Sequence, residues 1–166
     1  MTELDATITS VVDAACRELF AHYEIPVVPS QDGDVEDVNL AFCGVIGFSG
    51  SDLRGAVMMA SSSDILVTPD VAPAGLRDWI AELTNQLLGR VKNKLISLGA
   101  VIHISTPVVL RGERLAPMSS QRPAHLFRGR GGVVAVWFDA ECRPDLVLAA
   151  SPMAGATAAE GDTLMF

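Results

Sequence analysis

The sequence predicts an α+β fold: an antiparallel β-sheet with helices packed on it, one of them long. Three observations carry this. Residues 73–98 read PAGLRDWIAELTNQLLGRVKNKLISL. In that run Ile80, Leu83, Leu87, Val91, Leu95 and Leu98 recur at the 3.6-residue period of a helix. Residues 38–60 hold two β-rich runs around a polar turn at 49–52, the pattern of a hairpin. Short apolar runs bounded by turn residues then follow the long helix. The order helix, strand, strand, helix, strand, strand, strand argues for helices on an antiparallel sheet rather than alternating βα units.

Each element has its own warrant. Residues 1–20, MTELDATITSVVDAACRELF, form an amphipathic helix with Leu4, Ile8, Val11, Val12, Ala15 and Leu19 on one side. Residues 26–37 are polar and turn-rich and read as a loop. Strands follow at 38–48 and 53–60. Ser61 to Ser63 can cap a short helix running through Ile65 and Leu66. A linker with Pro69 leads to the long helix, where Pro73 suits the first turn and Gly99 the C-cap. Residues 101–110, VIHISTPVVL, read as one strand with a proline inside it. Further strands are expected at 124–128, 133–138 and 146–150. The run Arg128-Gly129-Arg130-Gly131-Gly132 reads as a hairpin turn, since it lacks the lysine and the following helix of a phosphate loop. Residues 151–166, SPMAGATAAEGDTLMF, are rich in small residues and read as a mobile tail, leaving 1–150 as the domain.

Composition excludes several classes. A chain of 166 residues suggests one domain, and 49% apolar with 19% charged residues is an ordinary globular balance. No apolar run approaches 18 residues, so no membrane insertion is expected. The net charge of −8 disfavours nucleic acid and anionic membranes as partners. Cys16, Cys43 and Cys142 lie far apart among apolar residues and read as small buried hydrophobes. His22, His103 and His125 are isolated, and no metal-ligand spacing occurs, so no metal or cofactor of the protein's own is expected. Trp79 and Trp137 read as core. Free thiols and the lack of a basic leader region lead to the expectation of a cytoplasmic protein.

The long helix carries the candidate site. Asp78, Glu82, Asn85, Gln86, Gly89 and Asn93 fall opposite its apolar stripe. Glu82 and Asn85 are three apart and therefore neighbours on the helix surface. Gly89 leaves the same face bare one turn on. Glycine inside a helix costs roughly 1 kcal/mol relative to alanine, and such a residue has a reason, either close packing or close approach by a partner. Its place on the polar face favours the partner. The plain alternative is the solvated face that any surface helix shows.

The pattern Glu82-x-x-Asn85-x-x-x-Gly89-x-x-Lys92-x-x-Leu95, then Gly99, then Ser105-Thr106-Pro107-Val108-Val109-Leu110-x-Gly112, resembles the CheC/CheX-type chemotaxis phosphatases, in a CheX-like form with a single Glu-x-x-Asn motif. Phe48-Ser49-Gly50 and Leu53-x-Gly55 match the family's first hairpin more weakly. The resemblance implies the same α+β fold. It also implies a substrate: a CheY-like response regulator phosphorylated on aspartate, which brings its own Mg²⁺ and lysine. Asn85 would then position a water in line with phosphorus and Glu82 would pair with the regulator's lysine. Asp78, Gln86 and Gly89 would meet the partner. A homodimer is implied as well, and apolar strands poor in edge lysines agree with it. The sequence departs from the family at Gln86, usually apolar, at Leu88, usually small, and at Arg90-Val91. Leu88 is expected near the flank of the docking face, where it would narrow access. A reading from another class is a non-catalytic regulator-binding or structural module of a signalling or motility assembly.

Overall fold

The computed structural model describes residues 2–31, 38–62, 65–66, 68–69 and 71–150. The elements are α1 (Glu3–His22), β1 (Val27–Ser30), β2 (Phe42–Ser49), β3 (Leu53–Ser61), a 3₁₀ turn (Pro73–Gly75), α2 (Leu76–Ser97), β4 (His103–Ile104), β5 (Val108–Arg111), β6 (His125–Gly129) and β7 (Gly132–Cys142). The strands make one antiparallel sheet in the order β1-β6-β7-β3-β2-β4, with β5 also paired to β2. The predicted α+β class is the observed one.

Local chemistry explains the helix ends. Thr2 opens α1 through a capping box: Asp5 N donates to Thr2 Oγ1 at 3.1 Å and Thr2 N donates to Asp5 Oδ2 at 3.2 Å. Arg122, reaching from the loop before β6, pairs with the same carboxylate at 2.8 Å. These bonds, the Thr2 hydroxyl's first, hold the Asp5 carboxyl down to about 2. Helix α2 ends on Gly99 at φ +88, with Gly99 N donating to Ile96 O and Ala100 N to Leu95 O. That pair of bonds is a Schellman motif, and a side chain at Gly99 would be strained there.

Both helices bury their stripes on one face of the sheet. Ile8, Val12, Leu19 and Phe20 of α1 meet Ile80, Leu83, Leu87, Val91 and Leu95 of α2 over Ile46, Val57, Met59, Val136 and Phe138. Phe20 packs edge-on against Phe127 at 5.1 Å. A second apolar cluster lies on the opposite face, where Leu40 and Leu115 cover Cys43, Ala60, Ala135 and Trp137. Cover on both faces explains why β7 is buried without alternation from Val133 to Phe138. One position fixes how close α2 comes to the sheet. A Cβ on Gly44 of β2 would overlap the Thr84 hydroxyl and stand 3.1 Å from Ile80 O. Thr84 itself is buried and donates to Ile80 O at 2.6 Å.

Four expectations need correction or qualification. Residues 27–30 form edge strand β1 rather than loop; Pro29 is tolerated because an edge strand need not donate on both sides. Residues 146–150 form no strand: Leu146 and Leu148 pack on the core, but Ala149 N donates to Leu98 O and no ladder forms. Residues 101–110 are two short strands. Proline at 107 has no N–H to donate, and Ser105 takes over the pairing with Gly47 through both its Oγ, which accepts at 3.1 Å, and its N–H, which donates at 2.9 Å. Ile65 and Leu66 are buried in a turn, while Ser63 lies outside the described residues, as does the expected tail 151–166.

Candidate functional site

Helix α2 begins at Leu76, and its buried residues Ile80, Leu83, Thr84, Leu87, Leu88, Val91 and Leu95 leave one face outward. Asp78, Glu82 and Asn85 are exposed on that face, and Gln86 and Gly89 are partly exposed. All five residues singled out from the sequence therefore share one surface. Gln86 Nε2 donates to Glu82 Oε1 at 2.6 Å, an i,i+4 bond along the helix. The Asn85 side chain makes no hydrogen bond among the described residues, so both ends of its carboxamide are open to an incoming group. A Cβ on Gly89 would meet nothing within 4 Å. Internal packing therefore does not require this glycine.

Leu88 is a correction. It is fully buried in the core, because three and four residues separate it from the buried Val91 and Thr84 on the same stripe. It does not border the exposed face of α2 and cannot narrow access to it.

Two of the four cations of α2 pair away from this face. Lys94 Nζ lies 2.6 Å from Glu18 Oε1, and Arg90 lies 4.0 Å from the same carboxylate, pinning the C-terminal half of α2 to α1. The outward face from Asp78 to Gln86 thus carries carboxylates and amides. Such a face can orient a water, accept from a cation, and donate to an anion through amide N–H groups. The face lies on the outer, convex side of the helix.

The sequence pattern places Trp79 in the core. It is half-buried, stacked edge-on against Tyr23 at 4.8 Å, and its ring also borders a cleft beside Asp78 and Glu82. Its place one residue after Asp78 and three before Glu82 was the available signal. Among the described residues no group of three or more His, Cys, Asp or Glu side chains is placed to hold a metal. Cys16 and Cys43 are buried, and burial pushes both thiols up, Cys43 to about 11. Neither is a nucleophile at neutral pH. No described helix is long and apolar enough to cross a membrane.

No protein-family profile matches the sequence, and no curated protein matches it either. Solved structures do. The chemotaxis protein CheX from Vibrio vulnificus is 18% identical, with 84% of this chain and 97% of that one aligned at a TM-score of 0.62. A CheC-like superfamily protein from Shewanella is 19% identical, with 81% and 97% covered at 0.63. CheX from Borrelia burgdorferi, solved in complex with CheY, beryllofluoride and Mg²⁺, is 16% identical, with 78% and 92% covered at 0.52. This chain shares the fold of the CheC/CheX-type chemotaxis proteins.

Proposed function

We propose that the protein removes the phosphoryl group from the aspartate of a CheY-like response regulator, using the Glu82–Asn85 face of α2. The observation that carries the reading is the joint exposure of Glu82, an unbonded Asn85 and a glycine that packing does not require. The fold shared with CheX, one member of which was solved bound to CheY, supports the choice of partner.

An aspartyl phosphate is already activated, so positioning is the main lever left to a helper protein. The Asn85 oxygen accepts from a water and its nitrogen donates to a phosphoryl oxygen, which sets the water in line with phosphorus. The Glu82 carboxylate pairs with the regulator's lysine and anchors α2 over the pocket. Gly89 lets the regulator's backbone approach. Mg²⁺ comes with the regulator. The test is phosphate loss from a ³²P-labelled regulator with and without the protein. Acceleration supports catalysis; binding without acceleration makes the protein a regulator-binding module instead.

The same reading includes a homodimer in the cytoplasm. Val108 and Leu110 on edge strand β5 are 58% and 45% exposed, as unpaired apolar edges are before they find a partner. Sedimentation at micromolar concentration should give about twice the chain mass of 17.5 kDa, and a single-chain mass contradicts the dimer.

A further inference from the structure

The first turn of α2 borders a cleft of about 330 Å³ lined by Val71, Ala72, Gly75, Asp78, Trp79 and Glu82. Four of those six residues are apolar or glycine, and Trp79 is the large one, with its ring braced by Tyr23. The other two are carboxylates four apart, adjacent on one helix face and both exposed. Among the described residues no cation lines the cleft. Asp78 makes neither an ion pair nor a hydrogen bond among the described residues, and Glu82 accepts one bond, from Gln86. A carboxylate oxygen pair has about four acceptor sites, so both acids have capacity to spare.

An apolar wall under two unspent carboxylates has one chemical complement: a long aliphatic stem that ends in a cation. Lysine and arginine lay their methylenes along apolar surface and keep the charged head at the rim. An indole near that head adds attraction of its own. The cleft also runs into the proposed docking face, because Glu82 belongs to both. A partner seated over Asn85 therefore covers it.

We propose that this cleft is a second anchor for the response regulator and receives a lysine or arginine that projects from the regulator's surface, apart from the lysine at its phosphorylation site. The proposal rests on the regulator-docking reading above. It makes the cleft a determinant of partner choice. A regulator presenting an acidic or neutral residue there leaves the Asp78 carboxylate covered and unpaired, which is a penalty against the wrong partner.

Trp79 provides a direct readout. The chain has two tryptophans, and Trp137 is buried on the far face of the sheet. In a Trp137→Phe variant, Trp79 emission reports the cleft alone. If that variant does not fold, the difference between wild type and Trp79→Phe gives the same report. The titrant is each CheY-like regulator of the source organism, loaded with beryllofluoride and Mg²⁺. Binding should shift Trp79 emission saturably. Asp78→Asn should weaken that binding about fivefold, the scale of a rim charge pair reinforced by a ring, and flatten its salt dependence. Binding that is lost in Glu82→Ala but leaves Trp79 silent and Asp78→Asn unchanged overturns the cleft and spares the docking face. Absence of binding by every regulator overturns both.

Discussion

Gln86 donates a 2.6 Å hydrogen bond to Glu82 one turn back on the same exposed face of α2. The bond occupies one carboxylate oxygen and leaves the other free, so Gln86 fixes the direction of Glu82 without consuming it. This separates the two residues experimentally. An exposed i,i+4 bond is worth about 0.2–0.5 kcal/mol, so Gln86→Ala should change regulator affinity by about twofold. Glu82→Ala removes a charge pair that docking would partly desolvate, a loss of about 2–5 kcal/mol. Titration calorimetry against the beryllofluoride-loaded regulator checks both. Equal effects of the two variants contradict the assignment of Glu82 as the anchor.

Gly89 offers a test in which stability and activity move in opposite directions. With open space around the added Cβ, Gly89→Ala should stabilise the protein by roughly 1 kcal/mol, the helix propensity difference. The methyl group would also stand where the partner is proposed to approach, and dephosphorylation should fall. Urea denaturation and phosphate release measured on one preparation decide this. A variant that gains stability and keeps full activity shows that no partner comes close at Gly89.

The N-terminus of α1 should be an acid-sensitive latch. The Thr2 hydroxyl and backbone bonds, then Arg122, hold the Asp5 carboxyl near 2 against an ordinary value of 3.8. The unfolded chain therefore binds the proton first. The contribution is complete above 3.8 and is lost as pH falls through about 2. Asp5→Asn should be less stable than wild type at pH 5, and most of the deficit should be gone by about pH 2. An equal deficit at both values excludes the ionised carboxylate as its source.

Most of the framework was legible from periodicity. The stripes of both helices and the hairpin 42–61 are strong repeating signals, and the same period that buried Leu83 and Leu87 put Glu82, Asn85 and Gly89 outside. Elements defined by what they pair with were harder to read. β1 was obscured by Pro29, which only an edge position permits. Residues 146–150 imitate a strand because Leu146 and Leu148 alternate inward, yet no neighbouring strand is within reach. Leu88 looked like a flank residue because the sequence does not say how wide the buried stripe is. Close packing of Gly44 on Thr84 sets that width by drawing α2 down onto β2. The cleft at Trp79 was missed for a related reason: Tyr23, which holds the ring, is more than fifty residues away.

The most direct test compares wild type and Asn85→Ala in single-turnover phosphate release from a ³²P-labelled CheY-like regulator, with circular dichroism and sedimentation confirming that both proteins fold alike. Loss of one orienting hydrogen-bond group costs about 10²–10³ in rate. Wild type should accelerate release, and Asn85→Ala should lose that acceleration by about this factor while still binding the regulator. Asn85→Ala as fast as wild type, or no acceleration by wild type over the regulator's own decay, would contradict the proposed function.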